Sequence, residues 1–305
     1  MKKNQPSKRR SPTSRRLAKA LARHRRNKCL KHPKSVLPTL WTVPDKLWKK
    51  IKPHLPTEKA PHTVGRPAVG FRAVFNGIMY VLRTGCQWKA VPEQFGSGST
   101  VHKRFQEWVV LGIFKQTWAE QLTEYDRRRG IAWRWQSVDS KAVPAPLGGA
   151  DTGPNPTDRA KSGSKRHVLV DRRGAPLAGV VTGANATDMK TNPAVLDHLV
   201  VDRPEPTADR PQNLCEDKGY DYPECREQAV ARGYIPHIPH KGTDPSAIPA
   251  GQKRHPARRW VVERTQSWTN CCRKLRVRWE KKTENWEALW HLANALTVYR
   301  LTILG

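Results

Sequence analysis

Hydrophobic periodicity changes kind once along this chain, at about Ile131, and that switch limits the folds open to it. Before it, apolar residues recur at helical spacing; after it come short runs rich in Val, Leu and Trp that end in Gly or Asp. Between Trp41 and about Arg129, Pro and Gly cut the helical signal into short pieces. The first, DKLWKKIK, lies between Pro44 and Pro53. The second, over about 68–83, sets Phe71, Val74, Phe75, Ile78, Met79 and Leu82 on one face. A third, TVHKRFQEWVVLG, has Ser99 as its expected cap, and a fourth runs over about 114–125.

Past the switch, strands are expected over 135–143, 167–171 and 176–183, then a helix over 191–200, a strand over 213–217, a helix over 223–232 and a strand over 234–239. Two long helices close the chain, over 257–281 and 285–304. Segments 144–163, 202–212 and 240–256 read as exposed loops, being Pro- and Gly-rich or charged. This order spells a mixed α/β unit after an all-α one. At roughly 150 residues per domain, a chain of 305 has room for both. The expected divisions are a basic arm over 1–34, a helical domain over 35–130 and an α/β domain over 131–305.

Charge narrows the function classes. Lys and Arg number 56 against 26 Asp and Glu, a formal excess of +30 that argues against an ordinary metabolic enzyme and for a polyanionic partner. Residues 1–34 hold fourteen Lys or Arg and no acid, so this arm is expected to be disordered; neutralising phosphates and being a solvated tail both remain open for it. No apolar run approaches the roughly 18 residues that would suggest a membrane span, and MKKNQPSKRR lacks the apolar centre of a secretory signal. Six unevenly spaced cysteines suit a reducing bacterial cytoplasm, and the charge suits association with the nucleoid.

Three acids stand out by context. Asp139 sits inside the strand VDSKAV, where burying a carboxylate is expensive unless something positive meets it. Asp217 ends the strand NLCED ahead of the turn KGYD, and acids at neighbouring strand ends converge on one point. Glu263 is the lone acid on a helix stripe with Arg259, Gln266, Asn270 and Lys274, opposite Trp268, Cys272, Leu275 and Trp279. Three oxygen-donor acids suit hard cations, Mg²⁺ or Mn²⁺. Two such ions roughly 3.5–4 Å apart activate a water or 3′-hydroxyl and stabilise the leaving oxygen of a phosphodiester. Spacing alone does not pick these three from 26 acids. For DNA contact, the first turns of the third helix offer Thr100, His102, Lys103 and Arg104, the end from which a recognition helix reads bases. Lys165 and Arg166 in GSKRHVLVD, with Arg259, Arg273 and Lys274, are further candidates, and Trp133 and Trp135 offer faces for an unpaired base.

The contexts carry a resemblance. WRWQSVDSKAVPAP, GSKRHVLVDRRGAPLAGVVTGANATD, EDKGYD and RRWVVERTQSWTNCCRKLRVRWE resemble the DDE transposases of bacterial insertion sequences, in the group named after insertion sequence five within the insertion-sequence-four-like superfamily. Upstream, WTVPDKLWKKIKPHLP, GRPAVGFRAVFNGIMYVLRTGCQWKAVP and STVHKRFQEWVVLGIF resemble that group's N-terminal region, so the likeness runs from about Trp41 to Leu304. It implies a ribonuclease-H-like catalytic domain, a mixed sheet with flanking helices, behind a small helix-turn-helix-like domain. Asp139 would stand on its first strand, Asp217 after its fourth and Glu263 on a late helix, as catalytic and metal-holding residues. The family signature Y-x2-R-x3-E-x6-K is met by Arg259 and Glu263, whereas its Tyr and Lys positions hold Pro256 and Asn270; Arg273 or Lys274 would then take over the phosphate contact. The implied activity is DNA transposition by metal-dependent cleavage and 3′-hydroxyl transfer at terminal inverted repeats, by a homodimer or higher homo-oligomer. A non-catalytic DNA-binding regulator and a nuclease on RNA or branched DNA stay open.

Overall fold

The computed structural model describes residues 40–58, 68–241 and 258–304; the arm expected over 1–34 and most of the loop expected over 240–256 lie outside them. Four helices open the described chain: α1 (Asp45–Ile51), α2 (Phe71–Thr84), α3 (Gly98–Val110) and α4 (Ile113–Arg129). The apolar stripe read from the sequence is the buried face of α2, where Val74, Phe75, Ile78, Met79 and Leu82 are wholly enclosed. That helix stops at Gly85, whose φ of 73° is the left-handed conformation glycine adopts freely. Helix α3 begins two residues earlier than Ser99 implies. Its cap is Ser97, whose Oγ accepts from the Thr100 N–H at 3.2 Å.

A six-stranded sheet follows: β1 (Trp135–Pro144), β2 (Gly153–Pro154), β3 (Ser162–Asp171), β4 (Pro176–Gly183), β5 (Gln212–Cys215) and β6 (Tyr234–His237). Strands β1, β3 and β4 are antiparallel neighbours, and β5 and β6 run parallel to β1 on its other side. Helices α5 (Asp188–Asp197), α6 (Pro223–Ala231), α7 (Arg259–Asn270) and α8 (Thr283–Leu304) complete the domain. Three antiparallel strands continued by two parallel ones, with helices packed on them, form the ribonuclease-H-like mixed sheet expected above. Helix α4 is built into its core: Trp118, Leu122 and Tyr125 are buried with Val138, Leu169, Leu177, Ala295 and Val298. The Trp118 indole donates to the Pro176 carbonyl at 2.9 Å.

Strand β5 ends at Cys215 rather than 217 and α5 runs over Asp188–Asp197 rather than 191–200, and two further boundaries differ for identifiable reasons. Strand β3 starts at Ser162 rather than 167, and β2 pairs with it inside the segment read as a loop, because Lys165 and Arg166 find partners within the fold. Helix α7 ends at Asn270 rather than near 281. There the Arg276 Nε donates to the Asn270 carbonyl at 2.7 Å, and the chain turns away to join β1 through Arg278 N–H to the Pro144 carbonyl. Among the described residues, no helix is long and apolar enough to cross a membrane.

Candidate active site

Strand register decides where two of the acids stand. In the parallel pair β1 and β5, Ser137 faces Cys215. Two residues further on each chain lie Asp139, still within β1, and Asp217, two residues past the end of β5. The chain leaves the sheet after Cys215, and Asp217 caps a short 3-10 turn by accepting the Lys218 N–H. Helix α7 packs against β1 and β3. The Ser137 hydroxyl donates to the Arg258 carbonyl at 3.3 Å, setting the start of α7 over the aspartates.

Helix α7 brings Arg259 and Glu263 one turn apart. Arg259 donates to Asp217 Oδ1 at 2.9 Å and to Glu263 Oε1 at 3.0 Å, tying the second acid to the third. Asp139 is more enclosed. Burial pushes its carboxyl up to about 6, against the pull of the Ser140 N–H and the Arg259 guanidinium; the charges of Asp217 and Glu263 raise it further. The three acids and one arginine thus form a single electrostatic unit. Glu216 precedes Asp217 just past the end of β5. It is 1 % exposed, and burial raises it to about 7. Sequence reading passed over Glu216, although an acid closing a strand beside a second acid was a visible signal.

Whether the site suits a divalent cation turns on its donors. Three carboxylates are the hard oxygen ligands that Mg²⁺ or Mn²⁺ take, and the penalty on ionised Asp139 is one a cation relieves. Among the described residues, no three His, Cys, Asp or Glu side chains are gathered as tightly as a metal requires. The Arg259 guanidinium spans Asp217 and Glu263 instead. The donor chemistry fits, with Arg259 as the cation between those two acids.

The other sequence candidates divide by exposure. Lys103 and Arg273 face solvent, and Thr100 is partly exposed beside its cap. His102 stacks on Trp88 at 4.8 Å, where burial lowers its basicity. Arg104 pairs with Glu107 at 2.7 Å and covers the Phe71 ring. Three cations turn inward, which corrects the expectation that they meet phosphate. Lys165 donates to Asp188 at 3.0 Å and to the Ala186 carbonyl. Lys274 is 5 % exposed and bound to Glu280 at 3.1 Å. Arg166 is fully buried against Trp286 and Trp290 and donates to Asn270 Oδ1 at 3.0 Å. Burial pushes that guanidinium down to about 10. The last contact accounts for the departure at the family's lysine position: a lysine at 270 would set a second cation against a buried arginine, whereas Asn270 offers an acceptor. Trp135 is covered as well, with Arg258 4.4 Å over its ring and His237 at 4.9 Å.

Fold and site together define a catalytic domain of the DDE class. Residues 136–298, more than half of the chain, match the family described as "Transposase DDE domain", and residues 43–118 match a domain described as a transposase of the IS4/5 family. The chain belongs to the DDE transposases, of the IS4/5 type. It is 37% identical over 135 residues to a Burkholderia cepacia protein named as a transposase for insertion sequence element IS402, a match covering 44% of this chain and 61% of that one. It thus spans less than two thirds of that relative. An uncharacterized 16.2 kDa protein of insertion element IS402, also from Burkholderia cepacia, is 31% identical over 37% of this chain and 80% of its own. Among solved structures, the catalytic domain of Mos1 mariner transposase aligns at 12% identity and a TM-score of 0.27, covering 62% of this chain and 91% of that one. The Mos1 paired-end complex with Mn aligns at 13% and 0.26, over 94% and 95%.

Proposed function

We propose that this transposase binds the terminal inverted repeats of its own element, hydrolyses a phosphodiester there to expose a 3′-hydroxyl, and joins that hydroxyl to target DNA. The observation that carries the reading is the gathering of the three acids about Arg259, which bonds Asp217 and Glu263 while the charges of all three act on Asp139. Asp139, Asp217 and Glu263 would hold two Mg²⁺ or Mn²⁺ ions. Those ions, when bound, supply a water or hydroxyl activated for attack and charge stabilisation at the leaving oxygen.

The chain's own residues do the rest by positioning. The sheet fixes Asp139 through its pairing with Val168, and the turn that Asp217 caps, with the Arg259 pair, positions the second acid. Arg259 balances Asp217 and Glu263 and stands ready to meet the phosphate that enters between them. Positioning and charge account for such chemistry without a covalent enzyme intermediate. Exposed Lys103 on α3 and Arg273 beyond α7 serve as contacts to duplex DNA, and the protein acts on the bacterial nucleoid as a homodimer or larger homo-oligomer.

The test uses the full chain with duplexes carrying the element's ends and Mg²⁺. Asp139→Ala is expected to abolish cleavage while leaving end binding nearly intact. Cleavage by this variant at a rate comparable with the unaltered chain would refute the site. Binding by the unaltered chain with no nicking at all would replace the enzyme by a DNA-binding regulator.

A further inference from the structure

Strand β1 comes into the open in its middle. Gln136, Ser137 and Val138 are buried and so is Val143, whereas residues 139–142 reach solvent and Lys141 is the exposed one among them. From Gln136 to Pro144 the strand pairs with β3 residue for residue. Side chains therefore alternate without interruption across this window: Asp139 and Lys141 take one face, with Cα atoms about 7 Å apart, and Ser140 and Ala142 the other. The face of Asp139 is the one α7 crosses. That helix starts by Ser137, through the Arg258 carbonyl, and ends against Arg166, the partner of Lys141 in the register. The open part of β1 on the acid face thus shows two side chains, the first acid and one cation.

The fold gives no reason for that cation. Among the described residues, the six strands hold three Lys or Arg side chains, Lys141, Lys165 and Arg166. Lys165 is paired with Asp188, and Arg166 is enclosed by Trp286 and Trp290. Lys141 forms no ion pair with a described residue, Asp139 included; the guanidinium that acts on Asp139 is that of Arg259. Opposite Lys141 in the ladder stands Arg166, which donates to a neutral oxygen, Asn270 Oδ1, and keeps its charge. Like charges directly opposed on one sheet face destabilise it. A threonine or valine would pair there without that cost and would suit a strand better. A lysine held against local preference, exposed and beside an acid of the site, is the mark of a residue kept for a ligand.

That ligand is an anion, and the chemistry of the acids supplies one. A phosphodiester brought to Asp139 meets β1 where the strand is open, over Lys141, since Ser137 and Val143 on the same face are buried. Arg259 is engaged by Asp217 and Glu263. Lys141 is the cation of this strand whose charge is unspent. Its spacing from the acid sets which phosphate it meets: about 7 Å of strand is about two nucleotides of DNA rise, at about 3.4 Å each.

We propose that Lys141 holds the DNA backbone at a phosphate within about two nucleotides of the bond that is cut, and so fixes the register of that strand over the acids. The assignment rests on the DNA-cleaving reading above and adds a residue that the sequence reading did not select. Such a contact is a charge-assisted hydrogen bond, and its loss is expected to slow cleavage about tenfold. The test uses the full chain with Mg²⁺ and duplexes carrying the element's ends, in which uncharged methylphosphonates replace, one at a time, the phosphates on either side of the cut. Single-turnover cleavage is measured for the unaltered chain, Lys141→Gln and Lys141→Arg. Lys141→Gln should cut the unmodified duplex about tenfold more slowly. For the unaltered chain, one methylphosphonate within about two nucleotides of the cut should cost the same factor. For Lys141→Gln that methylphosphonate should cost nothing further, because two deletions of one contact do not add. Lys141→Arg should restore both the rate and the sensitivity to that one position. Losses that multiply at every position would overturn the contact, as would Lys141→Gln cutting at the unaltered rate. Urea unfolding separates a structural role: Lys141→Gln should be no less stable than the unaltered chain, since a like charge opposite Arg166 is removed. A lowered midpoint with an equal rate loss on every duplex would assign Lys141 to the fold instead. An unaltered chain that binds these duplexes and cuts none of them would remove the enzyme reading, and the role of Lys141 with it.

Discussion

Replacing Asp139 by asparagine tests whether the site holds its first acid at a cost to the fold. Burial, aided by Asp217 and Glu263, raises its carboxyl from an ordinary 3.8 to about 6. That gap of about two pH units corresponds to about 3 kcal/mol against the ionised form at neutral pH. Asparagine keeps the shape and an oxygen to accept the Ser140 N–H, now at 2.8 Å on Oδ1, yet carries no charge. Asp139→Asn should therefore unfold later than the unaltered chain at pH 8 without divalent ions, by about 1–3 kcal/mol once partial solvent access is discounted. The sign with pH follows from linkage. The folded state holds the proton more tightly than the unfolded one, so this stabilisation is full below about 4 and is lost as pH rises through about 6. Urea midpoints from pH 4 to 8 should fall for the unaltered chain across that window more steeply than for Asp139→Asn. Adding Mg²⁺ at pH 8 should raise the midpoint of the unaltered chain and leave the variant behind. A variant no more stable at pH 8, or two parallel pH curves, would refute the reasoning.

Two further substitutions address the framework. At Gly179 an added Cβ would stand 2.6 Å from the Trp290 Cη2, on a ring that is 1 % exposed, so Gly179→Ala should lower stability by about 1–3 kcal/mol in urea unfolding; an unaltered midpoint would mean the indole yields freely. Glu124 is pulled down to about 2 by hydrogen bonds from Arg127 and Arg128, with Lys50 adding to them. Its contribution is present above the ordinary 4.5 and lost as pH falls through about 2, so Glu124→Gln should be less stable than the unaltered chain at pH 7 and converge with it in acid, and a constant difference would exclude the ion pairs as cause.

What was legible in the sequence was what local chemistry decides. Asp139 announces itself as a charge inside an apolar strand and Asp217 as one where a strand gives way to a turn. Glu263 announces itself as the lone acid of a basic stripe. The fates of the cations were not legible, because burial is a property of distant neighbours. Arg166 reads as a phosphate contact until Trp286 and Trp290, over a hundred residues away, close on it. Lys274 reads as the next turn of a helix until that helix ends at Asn270 and Glu280 takes its ammonium.

The two parts of the acid site differ in how firmly they are held. Asp139 takes its position from backbone pairing between β1 and β3, opposite Val168, which no single side chain can undo. Arg259 is held by two ion pairs only, with its own side chain 35 % exposed and those of Asp217 and Glu263 36 % and 52 %. Pairs this open contribute about 0–1 kcal/mol each, less than the penalty that burial sets on ionised Asp139. A ligand that drew Arg259 away therefore gives up little at Asp217 and Glu263, and a cation that neutralised Asp139 gains more than it forfeits. Were divalent ions to bind these acids, Arg259 would be the group that gives way and becomes free to meet a phosphate, so the adjustable element of the site is one side chain rather than the sheet.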